Sequence, residues 1–473
     1  MKSLKVTKRF DTGVGQRALA LVAVAALVAL SGCATVQKIT KRPNPEDRAI
    51  ASQGQRISIV AFDQKLSPSK SLKGIGYYIP DATTVASWPV AGGPADQPVQ
   101  HSNAAKNFQV AWTKPIGAAS KGETQVLAQP VSDGQRVYTL DGEARVTAFD
   151  VATGATVWSV DLNPKLKRDK EGFGGGLALT SDGKLFVTSG YRFIDALDAA
   201  TGAKIWEKPV DTQFHAAPTV NATEVFATDV DNQIFAFDQA TGEMKWTYQA
   251  IAEPARILKS SAPVVSGNVI YAPFSSGELV ALNATTGDPI WQQVLAESNR
   301  TNALSQIRDI SGRPVLYNDT VFAASHSGVF AAMNTKTGEQ KWQLATDSIN
   351  APWVAGDVVF LVSLQGELMA VSRESGQIYW LQDLNAGAQK MKKTAFGIGR
   401  EKLVGKIPLW SGPILASDRL IMVNSMGQAV AFDPKTGVRQ SAINLGGAAY
   451  IAPIVTGDTL FVVTDDGKLV AIR

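Results

Sequence analysis

Cysteine and histidine, which supply many catalytic groups and metal ligands, are scarce in this sequence. Cys33 is the only cysteine among 473 residues, and there are three histidines, His101, His215 and His326. One cysteine cannot form a disulfide within the chain, and the residue types that usually bind zinc are nearly absent. The sequence also lacks the Gly-x-Ser-x-Gly elbow of hydrolases and a Gly-Lys-Thr phosphate-binding loop. We therefore expect structural histidines and no catalytic residue, cofactor or metal site.

The surroundings of Cys33 predict lipid attachment rather than catalysis. Residues 1–17 are polar and basic, and residues 18–30 form an unbroken apolar run, too short for a membrane-spanning helix of roughly 20 residues. Residues 1–32 are therefore predicted to be a signal peptide. The sequence Leu-Ser-Gly-Cys that ends at Cys33 resembles the lipobox of bacterial lipoproteins, whose acylated cysteine anchors the protein to a membrane. A conventional signal peptide with a chance cysteine is the alternative.

Charge and composition exclude some classes of partner. The formal net charge is +4, with 45% hydrophobic and 19% charged residues, which predicts a sizeable folded core. The basic excess lies within residues 1–32, so basic and acidic residues balance in the remainder of the chain. Because phosphate binding needs a persistent basic face, we expect no nucleic-acid partner.

Residues 33–107 differ in composition from the rest of the chain. They are polar around residues 41–48 and rich in proline and glycine around residues 89–98. This composition predicts a lipidated N-terminus followed by an extended tether. Residues 56–62 have the β-branched content of a strand, which could dock on the folded domain or bind a partner.

From residue 108 onward a single unit repeats. Each copy opens with a Pro-hydrophobic pair and closes with Ala-hydrophobic-Asp, two residues, and Thr-Gly-x-x-x-Trp, most clearly at residues 148–158. Alternating hydrophobic residues indicate strands, and the Asp-to-Gly run is typical of a turn in which glycine adopts a positive φ. The tryptophan begins the next strand and is predicted to fill the seam against a neighbouring sheet. One late copy has Ser441 where tryptophan is expected.

The number of units predicts the architecture. The eight strand openings lie at Pro130, Gly176, Pro218, Pro263, Pro314, Pro352, Pro413 and Pro453. Residues 108–473 then supply about 46 residues per unit, the size of a four-stranded blade. The strand at 108–112 belongs to no unit and the last unit lacks a fourth strand, so the N-terminal strand is predicted to close the last blade. The fold class is all-β: a single eight-bladed β-propeller of four-stranded antiparallel blades, with seven blades as the alternative.

The repeat also resembles the tryptophan-docking repeat of quinoprotein alcohol dehydrogenases. Those propellers hold pyrroloquinoline quinone and Ca²⁺, and they carry an adjacent-cysteine disulfide and a cluster of acidic and amide ligands. The single cysteine of this chain lies in the leader. The shared motif therefore indicates a propeller and not an enzyme. A quinoprotein-like propeller and another surface-anchored binding propeller are the two alternatives.

Lipobox, tether and repeat together resemble the BamB family of outer-membrane β-barrel assembly lipoproteins. The long segment before residue 108 is similar to the alphaproteobacterial form. The resemblance implies a non-enzymatic scaffold, monomeric within a multi-subunit complex, lipid-anchored to the outer membrane and facing the periplasm. It also implies binding to the POTRA domains of the barrel-forming subunit BamA, with nascent outer-membrane proteins as further partners. Ala34 after Cys33 favours sorting to the outer membrane.

The resemblance implies two partner-binding loops. The first contains Ile257, Leu258 and Lys259, where lysine replaces the family's arginine and loses its guanidinium fork. The second contains Asp309, which matches the first aspartate of the family's Asp-x-Asp, whereas Ser311 does not match the second. A contact at a blade seam for Leu258 and a turn cap for Asp309 are the structural alternatives.

Two basic runs, at residues 165–170 and 390–406, lie in unusually long connections. Binding residues concentrate in such loops. A solvated insertion is the alternative interpretation of each run.

Overall fold

The computed structural model describes residues 66–94, 98–122, 124–165, 172–253, 257, 261–296, 307–388, 390–392 and 402–473. These residues form eight four-stranded antiparallel sheets arranged as an eight-bladed β-propeller, which confirms the predicted fold class. The helical content of this part of the chain is one 3-10 turn at Lys70–Leu72. No helix within the described ranges is long and apolar enough to cross a membrane.

Blades 1 to 4 each consist of four strands consecutive in sequence. Blade 1 contains β2 (Val131–Ser132), β3 (Arg136–Leu140), β4 (Arg145–Asp150) and β5 (Thr156–Asp161). Blade 2 contains β6 (Gly175–Leu179), β7 (Lys184–Ser189), β8 (Phe193–Asp198) and β9 (Lys204–Pro209). Blade 3 contains β10 (Thr219–Val220), β11 (Glu224–Thr228), β12 (Gln233–Asp238) and β13 (Met244–Gln249). Blade 4 contains β14 (Val264–Ser266), β15 (Val269–Pro273), β16 (Glu278–Asn283) and β17 (Pro289–Val294).

Blades 5 to 7 follow the same order, and a small hairpin precedes blade 7. Blade 5 contains β18 (Val315–Tyr317), β19 (Thr320–Ala324), β20 (Phe330–Asn334) and β21 (Gln340–Leu344). Blade 6 contains β22 (Trp353–Ala355), β23 (Val358–Val362), β24 (Glu367–Ser372) and β25 (Ile378–Asp383). The hairpin pairs β26 (Lys390–Lys392) with β27 (Lys402–Val404). Blade 7 contains β28 (Trp410–Ala416), β29 (Arg419–Asn424), β30 (Gln428–Phe432) and β31 (Arg439–Asn444).

Blade 8 joins the two ends of the propeller. Its inner strands are β32 (Ile454–Thr456), β33 (Thr459–Thr464) and β34 (Lys468–Ile472), and its outer strand is β1 (Val110–Pro115). Strand β1 pairs antiparallel with β34, from Val110 opposite Ile472 to Pro115 opposite Lys468. The predicted closure by the N-terminal strand is confirmed. Closure leaves no open blade at which the ring could unzip.

The Asp-to-Gly turn of the repeat is built as its sequence predicts. In blade 1 the Asp150 carboxylate accepts hydrogen bonds from the Thr153 amide, at 2.8 Å, and the Thr153 hydroxyl, at 2.7 Å. These bonds, led by the hydroxyl, hold the pKa of Asp150 below its usual range. Gly154 then adopts a φ of +69°, which residues with a Cβ rarely take up.

Each tryptophan of the repeat packs against the glycine of the next blade, whereas blade 7 has Ser441 at this position. A Cβ on Gly242 would lie 2.8 Å from the ring of Trp206, so no side chain fits there. The Trp206 Nε1 atom also donates to the Gln239 carbonyl of the next blade at 3.0 Å. The same donation recurs from Trp158, Trp246, Trp291 and Trp342. The predicted role of these rings in the blade seams is confirmed.

Replacing Gly242 with alanine is expected to destabilise the propeller by about 1–3 kcal/mol, because both a positive φ and the Trp206 ring oppose a Cβ. Gly267→Ala is the matched control, since Gly267 has a φ of +56° but nothing within 4 Å of the added Cβ. Urea unfolding should show a clearly larger loss for Gly242→Ala. Equal losses would mean that the ring contact contributes nothing.

Residues 66–94 and 98–107, here called the cap segment, lie on the propeller instead of extending away from it. Trp88 is 2% exposed and exchanges two backbone hydrogen bonds with Ser132 of blade 1, each 2.8 Å. Val85 and Val90 are buried beside it. The structure thus differs from the expected extended tether, because proline and glycine exclude regular secondary structure without excluding packing. Residues 33–65, including the strand-like 56–62, lie outside the described residues.

The cap segment also enters one blade seam. At the seam between blades 6 and 7, the Trp380 Nε1 atom donates to the Tyr77 hydroxyl at 2.7 Å instead of to a backbone carbonyl. The Tyr77 hydroxyl in turn donates to the Pro434 carbonyl at 2.5 Å. Pro434 follows Asp433 as Gln239 follows Asp238, so Tyr77 is inserted between the usual partners.

Candidate partner-binding site

Ile257 and Asp309, the two predicted binding residues that the structure describes, belong to one face of the propeller. Residue 257 precedes the first strand of blade 4, and Asp309 precedes the first strand of blade 5. In antiparallel blades these connections lie at the same end as the turns between second and third strands. We call this end the loop face. The cap segment contacts the opposite end, as shown by the pairing of Val85 with Gly457 in a turn between first and second strands.

The structure brings the two predicted loops together. The Ile257 amide donates a hydrogen bond to the Asp309 Oδ1 atom, with a distance of 3.2 Å. The blade 4 turn after β15 completes the contact, because the Ile310 amide donates to the Phe274 carbonyl at 3.3 Å. Leu258 and Lys259, predicted from the same loop, lie outside the described residues. Asp309 therefore links the connection that enters blade 5 to Ile257 in the connection that enters blade 4.

Asp309 is buried, which limits what it can do. It is 3% exposed, and burial, the largest effect, raises its pKa to about 6. The Ile257 amide and the nearby His326 act in the opposite direction. A carboxylate in this position can orient the Ile257 backbone but cannot reach a partner without local opening. The residue type and sequence position of Asp309 suggested direct contact with a partner. Its burial and its hydrogen bond instead indicate that it positions the Ile257 backbone.

A groove on the loop face, bordered by exposed apolar side chains, was missed by the sequence reasoning. Ile407, Met426 and Tyr450 are 48%, 49% and 39% exposed and line a groove with Lys406. They come from the connections into blades 7 and 8 and from the turn after β29. Exposed apolar clusters of this kind mark interaction surfaces. The four residues are scattered in sequence, and the only available signal was that Lys406 ends a predicted basic run.

The other candidate residues have structural neighbours. Lys165, at the start of the other basic run, pairs with Asp161 at 3.0 Å, and residues 166–170 lie outside the described part. His101 is 3% exposed, with its Nδ1 atom 2.8 Å from the Pro80 carbonyl. Across the described ranges, no group of three or more His, Cys, Asp or Glu side chains could hold a metal ion.

The fold and its repeats define a class, the β-propellers of tryptophan-docking, PQQ-like repeats. A family model described as outer membrane protein assembly factor BamB matches residues 142–382. The chain belongs to that family.

Individual comparisons agree with this assignment. The outer membrane protein assembly factor BamB of Burkholderia pseudomallei is 26% identical over 371 residues, covering 78% of this chain and 88% of that protein. The crystal structure of BamB from Moraxella catarrhalis superposes with a TM-score of 0.63 at 18% identity, covering 77% of this chain and 99% of that one. A quinohemoprotein alcohol dehydrogenase from Comamonas testosteroni has a TM-score of 0.61 at 16% identity, covering 82% and 81%. The two solved structures share the fold.

Proposed function

We propose that this chain is a non-enzymatic scaffold of the outer-membrane β-barrel assembly machinery. Acylated Cys33 holds it at the periplasmic side of the outer membrane, and its loop face binds the POTRA domains of a BamA-like barrel-forming subunit. In this role it aids the folding and insertion of outer-membrane proteins. Membership of the BamB family supports the assembly role and the association with the outer membrane.

The observation that carries the proposal is the hydrogen bond from the Ile257 amide to Asp309. It fixes the backbone at Ile257, which is followed in sequence by an apolar residue, Leu258, and a cation, Lys259. An apolar anchor with a neighbouring charge is how a small interface gains affinity and specificity. The groove of Ile407, Met426 and Tyr450 adds apolar area on the same face for the subunit or for a nascent outer-membrane protein.

The scaffold is favoured over the quinone-dependent enzyme by the described residues. Ca²⁺ requires six to eight oxygen ligands that usually include carboxylates, and the described ranges contain no cluster of acidic residues arranged for a metal. Adding pyrroloquinoline quinone with Ca²⁺ should leave the melting temperature unchanged. A rise that saturates with concentration would instead support the enzyme.

Leu258→Glu and Lys259→Glu should each weaken binding to purified POTRA domains by about tenfold or more, as expected for residues at the centre of an interface. Asp309→Ala should weaken it less, because Asp309 acts through the Ile257 backbone. Titration calorimetry with the purified POTRA domains measures the affinity of all three variants.

Lys336→Glu is the matched control, since Lys336 is exposed in a turn between third and fourth strands at the opposite end of the propeller. Its affinity should equal that of the wild type. Unchanged binding by the Leu258, Lys259 and Asp309 variants would place the interface elsewhere.

A further inference from the structure

The eight blades enclose a small cavity on the propeller axis. Its volume is about 140 Å³, and every blade contributes residues near its first strand, many of them as small as Gly175, Ala217 and Gly312. Larger apolar groups, among them Ile349 and Ile414, complete the wall. The volume is close to that of a cavity of roughly 150 Å³ that holds one benzene molecule. A small organic molecule therefore fits the axis, and a large cofactor does not.

The cap segment covers the cavity and is bonded to its wall. Trp88 and Gly92 line the cavity from the cap side. The Gly92 amide donates to the Gln129 Oε1 atom at 2.6 Å, and the Arg313 Nη1 atom donates to the Gly93 carbonyl at 2.9 Å. Gly92 has no room for a side chain, because a Cβ would lie 2.7 Å from the Arg313 Cδ atom. The cap thus holds the Arg313 side chain in place.

Within the described part of the chain, five buried hydrogen-bond donors without a hydrogen-bond partner belong to residues that line this cavity. They are the Nε and Nη2 atoms of Arg313, the Nε1 atom of Trp88 and the hydroxyls of Ser261 and Ser311. Buried polar groups in native proteins are nearly always satisfied, so this grouping requires a ligand or solvent. Arginine and tryptophan side chains donate and cannot accept, and therefore the missing partner is an acceptor.

The missing acceptor is also expected to be negatively charged. No carboxylate lies within ion-pair distance of Arg313 among the described residues. Burial lowers the pKa of Arg313 to about 10, which still leaves the guanidinium charged at neutral pH. Arg313 as a whole is partly exposed, but two of its three guanidinium nitrogens are buried. A charge withdrawn from solvent without a counter-ion is costly, and the planar guanidinium fork matches a carboxylate.

We propose that the axial cavity binds a small organic carboxylate, with Arg313 holding its carboxylate group and the apolar wall enclosing its body. The ligand enters from a groove of about 1020 Å³ on the cap side, lined by Thr219, Val265 and Pro98 among others. Arg313 borders both the groove and the axial cavity, so it stands at the passage between them. This site includes neither Ile257 nor Asp309 and goes beyond the proposed scaffold function.

Benzoate is the test probe, and benzamide is its neutral counterpart of equal size. Benzoate should bind the full-length protein and raise its melting temperature, while benzamide should bind at least tenfold more weakly. Arg313→Met should lose benzoate binding by tenfold or more and should itself melt higher than the wild type, because an apolar chain replaces an unpaired buried charge. Arg439→Met, at an exposed arginine of β31, should leave both properties unchanged.

Equal affinity for benzoate and benzamide, or an equal response of wild type and Arg313→Met, would overturn the proposal. So would a crystal structure grown at saturating benzoate with water alone in the axial cavity. Should Arg313→Met fail to fold, Arg313→Lys provides the second variant. It keeps the charge without the fork, and an affinity for benzoate equal to that of the wild type would likewise contradict the assignment.

Discussion

Replacing Trp88 with alanine is expected to lower the free energy of unfolding of the propeller by about 3–5 kcal/mol, the range found for buried tryptophan. Trp88 is 2% exposed although it lies in a segment without regular secondary structure. Its ring packs on Gly93, where a Cβ would lie 3.2 Å from it, and on the wall of the axial cavity. Removing the ring leaves a void that the surrounding blades cannot fill.

Denaturant unfolding monitored by far-ultraviolet circular dichroism measures this loss for Trp88→Ala. Ile75→Ala is the control within the same segment, since Ile75 is 55% exposed, and it should change stability by less than about 0.5 kcal/mol. Proteolysis should also reach the cap segment sooner in Trp88→Ala. A Trp88→Ala protein as stable as the wild type would mean that residues 66–107 behave as the predicted tether.

The propeller could be predicted from the sequence because each repeat specifies its own contacts. Asp150, Thr153 and Gly154 form a turn from neighbouring residues, and the tryptophan meets the same feature of the next repeat every time. Local chemistry and a fixed spacing therefore determine the blade, the seam and the number of units. Closure by β1 followed from counting strands, because the last repeat lacked a fourth strand and an unassigned strand preceded the first repeat.

The cap segment could not be predicted in this way, because its contacts occur once each. Nothing near Tyr77 in sequence indicates that its hydroxyl lies between Trp380 and Pro434. The seam between blades 8 and 1 also departs from the repeated hydrogen-bond pattern. There Arg473 donates to the Val151 carbonyl at 3.0 Å, in the place that the repeat pattern assigns to the tryptophan of β1. Such contacts depend on the assembled ring and leave no periodic pattern.

The candidate site could be predicted only in part, because its contacts also leave no periodic pattern in the sequence. Family resemblance pointed to Ile257 and Asp309 separately, and no pattern linked two loops so far apart in sequence. The polar character of Asp309 suggested exposure, yet it is 3% exposed, beside the Phe274 turn and hydrogen-bonded to the Ile257 amide. Burial of a single polar side chain is a tertiary property that residue type does not reveal.

Asp195 is expected to make the stability of the propeller depend on pH. It is 1% exposed in β8, and burial, the dominant effect, raises its pKa to about 7. The Lys204 Nζ atom lies 3.3 Å from the Asp195 Oδ2 atom but is shared with Glu207, at 2.6 Å. Lys204 therefore offsets the cost of burial incompletely, and the folded protein favours the neutral form of Asp195 below about pH 7.

Asp195→Asn is expected to remove a loss of stability that the wild type shows as the pH rises. An unfolded aspartate titrates near pH 3.9, so between about pH 4 and pH 7 the folded state binds more protons than the unfolded state. Stability must then fall with rising pH across this window, by about 4 kcal/mol for a pKa raised to about 7. The amide cannot ionise, so Asp195→Asn should match the wild type below about pH 4 and exceed it increasingly up to pH 8.

Comparing unfolding of the two proteins at each pH isolates the contribution of Asp195, because other buried carboxyls such as Asp309 contribute equally to both. Glu207→Gln is the control on the neighbouring strand, since it removes a charge near Lys204 without touching the buried carboxyl. It should retain most of the wild-type pH dependence. A parallel loss of stability by Asp195→Asn and the wild type between pH 5 and pH 8 would contradict this prediction. It would mean that Lys204 fully offsets the cost of burying the ionised Asp195 carboxylate.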